Sequence, residues 1–216
     1  MATKDADVAR DRAWVVPASA VAFAVLFVFG LLTAGGANDT QDKTDDEIVK
    51  LFHDNKTITV VGAYALVLAG LAFLPLAWAV ARRVGAGLST LGEQLARGTA
   101  VLFVAMVLVA AAAFASLAGG VAFGSLDDPS ADLIRFVPQI GFGALLIAGA
   151  LSVSLFLAIV SRAGQTTGAV PKWFWILGYV AAVAMLAGVM FLPMPTLPIW
   201  AIAAAFVLKG EPAPQT

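Results

Sequence analysis

The amino-acid sequence points to an all-α protein, a polytopic transmembrane bundle of about six spans with two short outer amphipathic helices. Three features carry that expectation. Of 216 residues, 61% are apolar and 12% charged, where soluble domains run at about half apolar and about a quarter charged. Five stretches, each of about 20 residues or more, hold no Asp, Glu, Lys or Arg, and about 20 residues of helix cross the hydrocarbon core of a bilayer. Lys and Arg also gather in alternate connections, as topology requires.

The chain reads as one bundle domain, residues 14–209, between a tail at 1–13 and a tail at 210–216. Lys4, Arg10 and Arg12 precede the first span, residues 14–35. Its apolar run exceeds the about 7–15 residues of a secretory signal core, so it is expected to remain as a span. The second, 58–81, closes on Arg82-Arg83 and contains Pro75, which is expected to kink it. The third, fourth and fifth are 98–124, 139–161 and 173–192. A sixth, 196–209, follows Pro193 and Pro195 and carries Pro198. Its apolar part makes about 20 Å of helix, so a short span with a snorkelling Lys209 is expected.

With both termini cytoplasmic, nine cations fall on the inner side: Lys4, Arg10, Arg12, Arg82, Arg83, Arg97, Arg162, Lys172 and Lys209. Only Lys43, Lys50, Lys56 and Arg135 fall outside, together with nine of the fourteen acids. This bias predicts a multi-pass protein of the plasma membrane. Trp173-Phe174-Trp175 reads as an aromatic belt at the inner interface.

The first outer loop holds Thr44-Asp45-Asp46-Glu47, a capping box. It opens a short helix, Ile48-Val49-Lys50-Leu51-Phe52, whose apolar side could rest on the bilayer surface. The second loop holds Asp127-Asp128-Pro129, an expected N-cap with Pro at the first helical position, and continues into Leu133-Ile134-Arg135-Phe136-Val137. Both loops place an Asp pair ahead of an apolar-apolar-basic-apolar-apolar run, which suggests a duplicated hairpin as readily as coincidence. Asp45, Asp46, Glu47, Phe52, His53, Asp127, Asp128 and Arg135 form the expected outer interaction surface.

The sequence nominates no catalytic residue, cofactor site or metal site. Cys is absent, which excludes thiolate chemistry, and His53 is the only His. His53 and Asp54 invite an acid–base pair, but adjacent helical residues do not face each other. A His near the end of a short helix is explained by the helix dipole. The outer acids lack the alternating ligands of a calcium loop, and a net charge of −1 gives no reason to expect nucleic acid. In the third span Ala112, Ser116, Gly120 and Gly124 recur every four residues, as Ala144, Ala148 and Ser152 do in the fourth. Such stripes let helices pack closely, inside the bundle or between copies. The secure spans contain no ionisable Asp, Glu, Lys, Arg or His, where transport sites usually place one. Tyr64, Ser116 and Ser152 are the polar groups that could line a cavity.

The capped acidic helix ending Phe52-His53-Asp54-Asn55-Lys56, the Ala81-Arg82-Arg83 exit and the Val170-Pro171-Lys172-Trp173 entry resemble a group of uncharacterised six-span bacterial membrane proteins. That group is actinobacterial in type and forms a domain-of-unknown-function family. The resemblance implies topology and location; it supplies no activity and no site residues. The leading expectation is a non-enzymatic accessory, regulatory or partner-binding bundle, meeting the lipid bilayer and another membrane protein or a second copy. The alternative is a small carrier or binder of an apolar or uncharged solute or lipid. An interfacial enzyme or pH sensor using His53 ranks third.

Overall fold

The computed structural model describes residues 2–35, 42–124, 126–187 and 194–209, with side chains from Trp14 onward. The described residues form seven α-helices and no strand: α1 (Ala2–Gly30), α2 (Asp45–Arg83), α3 (Thr90–Ala122), α4 (Ala131–Gly143), α5 (Ala150–Thr167), α6 (Lys172–Leu186) and α7 (Thr196–Lys209). A π turn at Leu31–Gly35 ends α1, and a π segment at Ala144–Gly149 joins α4 to α5 without a break. Counting that composite as one rod gives six apolar helices. Four rods are long and apolar enough to cross a membrane; α6 and α7 are shorter. The 1–13 tail is helical from Ala2, while the end of the fifth span and the C-terminal tail lie outside the described residues.

The helices cover the apolar runs, but the expected outer helices are not separate pieces. α2 runs unbroken for 39 residues, about 58 Å, from the capping box to Arg83. Ala131–Thr167 runs for 37 residues. A hydrocarbon core is about 30 Å thick, so roughly half of each rod projects beyond it. The reason is local: residues 45–61 contain neither Gly nor Pro, so polar residues 53–57 continue the helix that Thr44 starts. α2 also runs through Pro75.

The helices close into a ring. α1 packs on α2, α2 on α3, α3 on the α4–α5 rod, α5 on α6, α6 on α7, and α7 back on α1. Every rod sends an aromatic side chain to the middle, α1 two of them: Phe23, Phe27, Phe73, Phe103, Phe156, Phe174 and Trp200, all at most 4% exposed. Phe73 is the hub, with ring centroids 5.0 Å from Phe23, 4.9 Å from Phe103 and 5.9 Å from Phe156. Phe156 meets Trp200 edge-on at 5.9 Å, and Trp200 stacks on Phe174 at 5.8 Å. Aromatic pairs in these geometries contribute about 0.5–1.5 kcal/mol each beyond burial.

Between α1 and α2 the contact is backbone on backbone. A Cβ on Gly62 would collide with Thr33 Oγ1 and stand 2.7 Å from the Ala34 nitrogen, and one on Gly30 would meet the Gly62 carbonyl at 2.7 Å. Small residues let helices associate where no water drives them together. Across α5 and α6, Ser154 donates a 2.7 Å hydrogen bond to the Ala182 carbonyl.

The small stripe of α3 does not pack inside the bundle. Ala112 and Ser116 are exposed, Gly120 is half-buried, and Gly124 lies beyond the helix end at φ +66°. The buried face is Ala96, Ala100, Phe103, Val107, Ala110, Phe114 and Ala118, a three-four rhythm on the opposite side. In the fourth span Ala144 and Ala148 are half-buried and only Ser152 is buried. Of the expected aromatic belt, Trp173 is exposed and Phe174 is buried against Trp200.

Candidate functional site

Charge separates the ends of the bundle. At one end, here the basic end, the described side chains are those of Arg82, Arg83, Arg97, Arg162, Lys172 and Lys209 with one acid among them, Glu93, which pairs with Arg97. At the other, the projecting starts of α2 and α4 carry Asp42, Asp45, Asp46, Glu47, Asp54, Asp127, Asp128 and Asp132. This acidic head is the candidate site.

Thr44 builds its first wall. Its hydroxyl accepts from the Glu47 amide at 3.4 Å, and its own amide and hydroxyl donate to Glu47 Oε2 at 2.8 and 2.9 Å. The capping box is therefore complete. Those bonds favour the ionised form and hold the Glu47 carboxyl below its ordinary value, with the Thr44 amide the largest cause, the Thr44 hydroxyl next, and Lys43 assisting against slight desolvation. The second wall starts later than expected. Ser130, not Asp127 or Asp128, is the N-cap of α4, and Pro129 is buried just ahead of it. Asp127 and Asp128 stand exposed in the preceding turn.

The two walls lean on each other rather than on lipid. Ile48, fully buried, packs with Ala131 and Ile134, and Phe52 and Leu117 complete the cluster. The amphipathic face of the first outer helix is thus covered by α4 and the end of α3, not by the bilayer surface. Beneath it Phe52, Asn55, Thr59, Phe114, Ile134 and Pro138 enclose about 10 Å³, room for about one water. Asn55 and Thr59 turn their polar atoms back to the α2 carbonyls of Leu51 and Asn55, at 2.9 and 3.0 Å.

Ionic ties cross the same seam. Arg135 reaches Asp45 at 2.7 Å and donates to the Lys43 carbonyl at 3.1 Å, with Asp132 at 3.7 Å on its own helix. His53 Nε2 lies 3.4 Å from Asp128 Oδ1, and the edge of Phe52 meets its ring at 5.6 Å. The partner of His53 is therefore Asp128 across the seam and not its neighbour Asp54. Nor does His53 sit at a helix C-terminus, because α2 continues to Arg83; the dipole explanation gives way to a cross-helix pair.

The structure thus splits the predicted surface. Asp45, Asp46, Glu47, Asp127 and Asp128 are exposed, Phe52 belongs to the small core, and Arg135 and His53 tie the walls together. Among the described residues, no three His, Asp or Glu side chains converge as a metal site would need. Tyr64, Ser116 and Ser152 do not meet. Tyr64 is 66% exposed on the outside of α2, Ser116 donates to the Ala113 carbonyl at 2.9 Å on an exposed face, and buried Ser152 donates to Ala148 at 2.6 Å. Sequence reasoning missed the buried Trp200 indole, whose N–H meets no acceptor among the described residues, and Ser161 close to Gly178 beside it. An aromatic in a short apolar segment carries no mark of its depth. Comparison with family models, curated proteins and solved structures finds no match for the chain.

Proposed function

We propose that this chain is a non-enzymatic membrane scaffold that presents the acidic head on the outer side of the plasma membrane to a partner protein with a basic surface. The observation that carries this reading is the head itself. Two helix starts, more than 80 residues apart in the chain, are fastened by a private apolar cluster, the Arg135–Asp45 ion pair and the His53–Asp128 contact. A fixed display of exposed carboxylates, Asp46 and Asp127 among them, gives orientation and attracts a complementary charge. The aromatic centre supports the same reading, since carriers need a path there. The nine-to-four distribution of cations supports the outward orientation.

Two experiments test it. Affinity purification in mild detergent, with mass spectrometry, should recover a partner that is lost from an Asp46→Lys/Asp127→Lys chain and kept by Tyr64→Phe. An unchanged set of co-purifying proteins would remove the head as the docking surface. For orientation, an impermeant thiol reagent should label Asp46→Cys in intact cells and label Glu93→Cys only after permeabilisation; the reverse pattern would invert the protein.

A second reading, a binder of an apolar solute, is favoured by one observation. An apolar crevice of about 250 Å³ opens between the end of α1 and the start of α7, lined by Phe27, Leu31, Gly35, Met194 and Pro198 among others. A Leu31→Trp chain that still binds every solute of the unaltered protein would dismiss it.

A further inference from the structure

At the basic end a second groove runs down the outside of α1. Trp14, Pro17, Val21, Ala22, Val25 and Leu26 line it, and Lys209 closes it, around about 680 Å³. α7 is antiparallel to α1: its start meets the end of α1, so its last residue, Lys209, stands level with Trp14. The groove is therefore apolar along its length and cationic at one end, and no acid lines it among the described side chains. From Trp14 to Leu26 the helix rises about 18 Å. Half of a hydrocarbon core of about 30 Å is about 15 Å, so the groove matches the depth of one leaflet. Trp14, 60% exposed, sits where the headgroup boundary would lie, as interfacial Trp residues do.

We propose that this groove is a binding site for one anionic glycerophospholipid of the leaflet at the basic end. An acyl chain lies along Val21, Ala22 and Val25, and the headgroup phosphate meets the Lys209 ammonium. Three features of the groove select that occupant. Its length fits one leaflet, its walls fit a hydrocarbon chain, and the one charge among its described lining residues is positive and placed at headgroup depth. The surrounding end adds Arg82, Arg162 and Lys172, all exposed, which raises the local concentration of negative lipid.

The test uses the full chain in nanodiscs whose lipids carry bromines on their acyl chains, which quench tryptophans in contact. Subtracting the signal of a Trp14→Phe chain isolates Trp14 from the other tryptophans. Titrating brominated phosphatidylglycerol against brominated phosphatidylcholine should show the anionic lipid preferred at Trp14 by about fivefold, the worth of one Lys near a charged surface. That preference should vanish in Lys209→Gln, persist in Lys209→Arg and in Lys172→Gln, and fall as salt rises in the unaltered chain. The salt arm needs no variant, so a Lys209 variant that fails to fold leaves the proposal testable. Equal quenching by both lipids, quenching by neither, a preference indifferent to salt, or one that survives Lys209→Gln would each overturn it.

Discussion

In the apolar middle, α1 and α2 meet backbone against backbone at Gly30 and Gly62, and seven aromatic side chains fill the space where the rods converge. At the acidic head, α2 and α4 meet through Arg135–Asp45, His53–Asp128 and a cluster centred on Ile48. The solvent explains the difference. In lipid nothing is gained by hiding apolar surface, so shape complementarity decides. In water a small apolar seam does stabilise, and half-exposed ion pairs add modest, screened terms. The middle should therefore ignore pH and salt and be sensitive to volume, while the head should behave the opposite way.

The largest effect should come from volume in the middle. Gly62→Leu should lower thermal stability in detergent by about 1–3 kcal/mol, the usual penalty of overpacking, because its Cβ alone would collide with Thr33 and Ala34. Gly119→Leu, where a Cβ meets nothing within 4 Å, is the control and should leave the melting temperature unchanged. Equal behaviour of the two would break the contrast.

At the head, Thr44→Ala should cost about 0.5–2 kcal/mol and show itself as faster amide exchange in residues 45–56, with exchange in residues 62–81 unaltered. Arg135→Gln comes next, at about 1 kcal/mol given its partial exposure. Its exchange signature should appear on both walls at once, since one guanidinium serves Asp45 and the Lys43 carbonyl.

How far these contacts were legible beforehand differs between the same two regions. Hydropathy located the spans, and the Thr44–Glu47 spacing located the cap, because both are signals along the chain. Facing is a signal across it. In lipid both sides of a helix are apolar, so the stripe through Ala112 and Ser116 looked as good as the true seam through Phe103 and Val107. The better clue was the recurrence of Ala and Phe at three and four residues. The unbroken α2 was readable from the absence of Gly and Pro between 45 and 61, which outweighs the polarity of 53–57. Asp128 as the partner of His53 was not readable, since the pairing exists only once the second rod is docked.

Acidification sharpens the comparison further. Glu47 is held below the ordinary carboxyl value of 4.5, so its contribution is fully present above that value and is lost as pH falls through its lower folded value. Amide exchange in the head should quicken over that window while the aromatic middle, lacking titratable groups, stays protected. Equal loosening of both regions would count against the division. The smallest effect belongs to His53→Ala, about 1 kcal/mol or less because both members of the pair are solvent-exposed to differing degrees. A stable His53→Ala protein that no longer binds the head's partner would move His53 from a tie to a recognition residue.

One rod joins everything described above. α2 carries the cap at its first turn, the seam in its next turns, Gly62 and Phe73 in the middle, and Arg82-Arg83 at its far end. Being about 58 Å long, it acts as a lever: each degree of tilt imposed at the head moves the other end by about 1 Å relative to it. The weakest point under bending load is Pro75, where the ladder lacks one N–H, beyond the aromatic hub on the way to the arginines. A torque applied at the carboxylates is therefore carried stiffly as far as the aromatic hub and released as flexure about two turns before the cations.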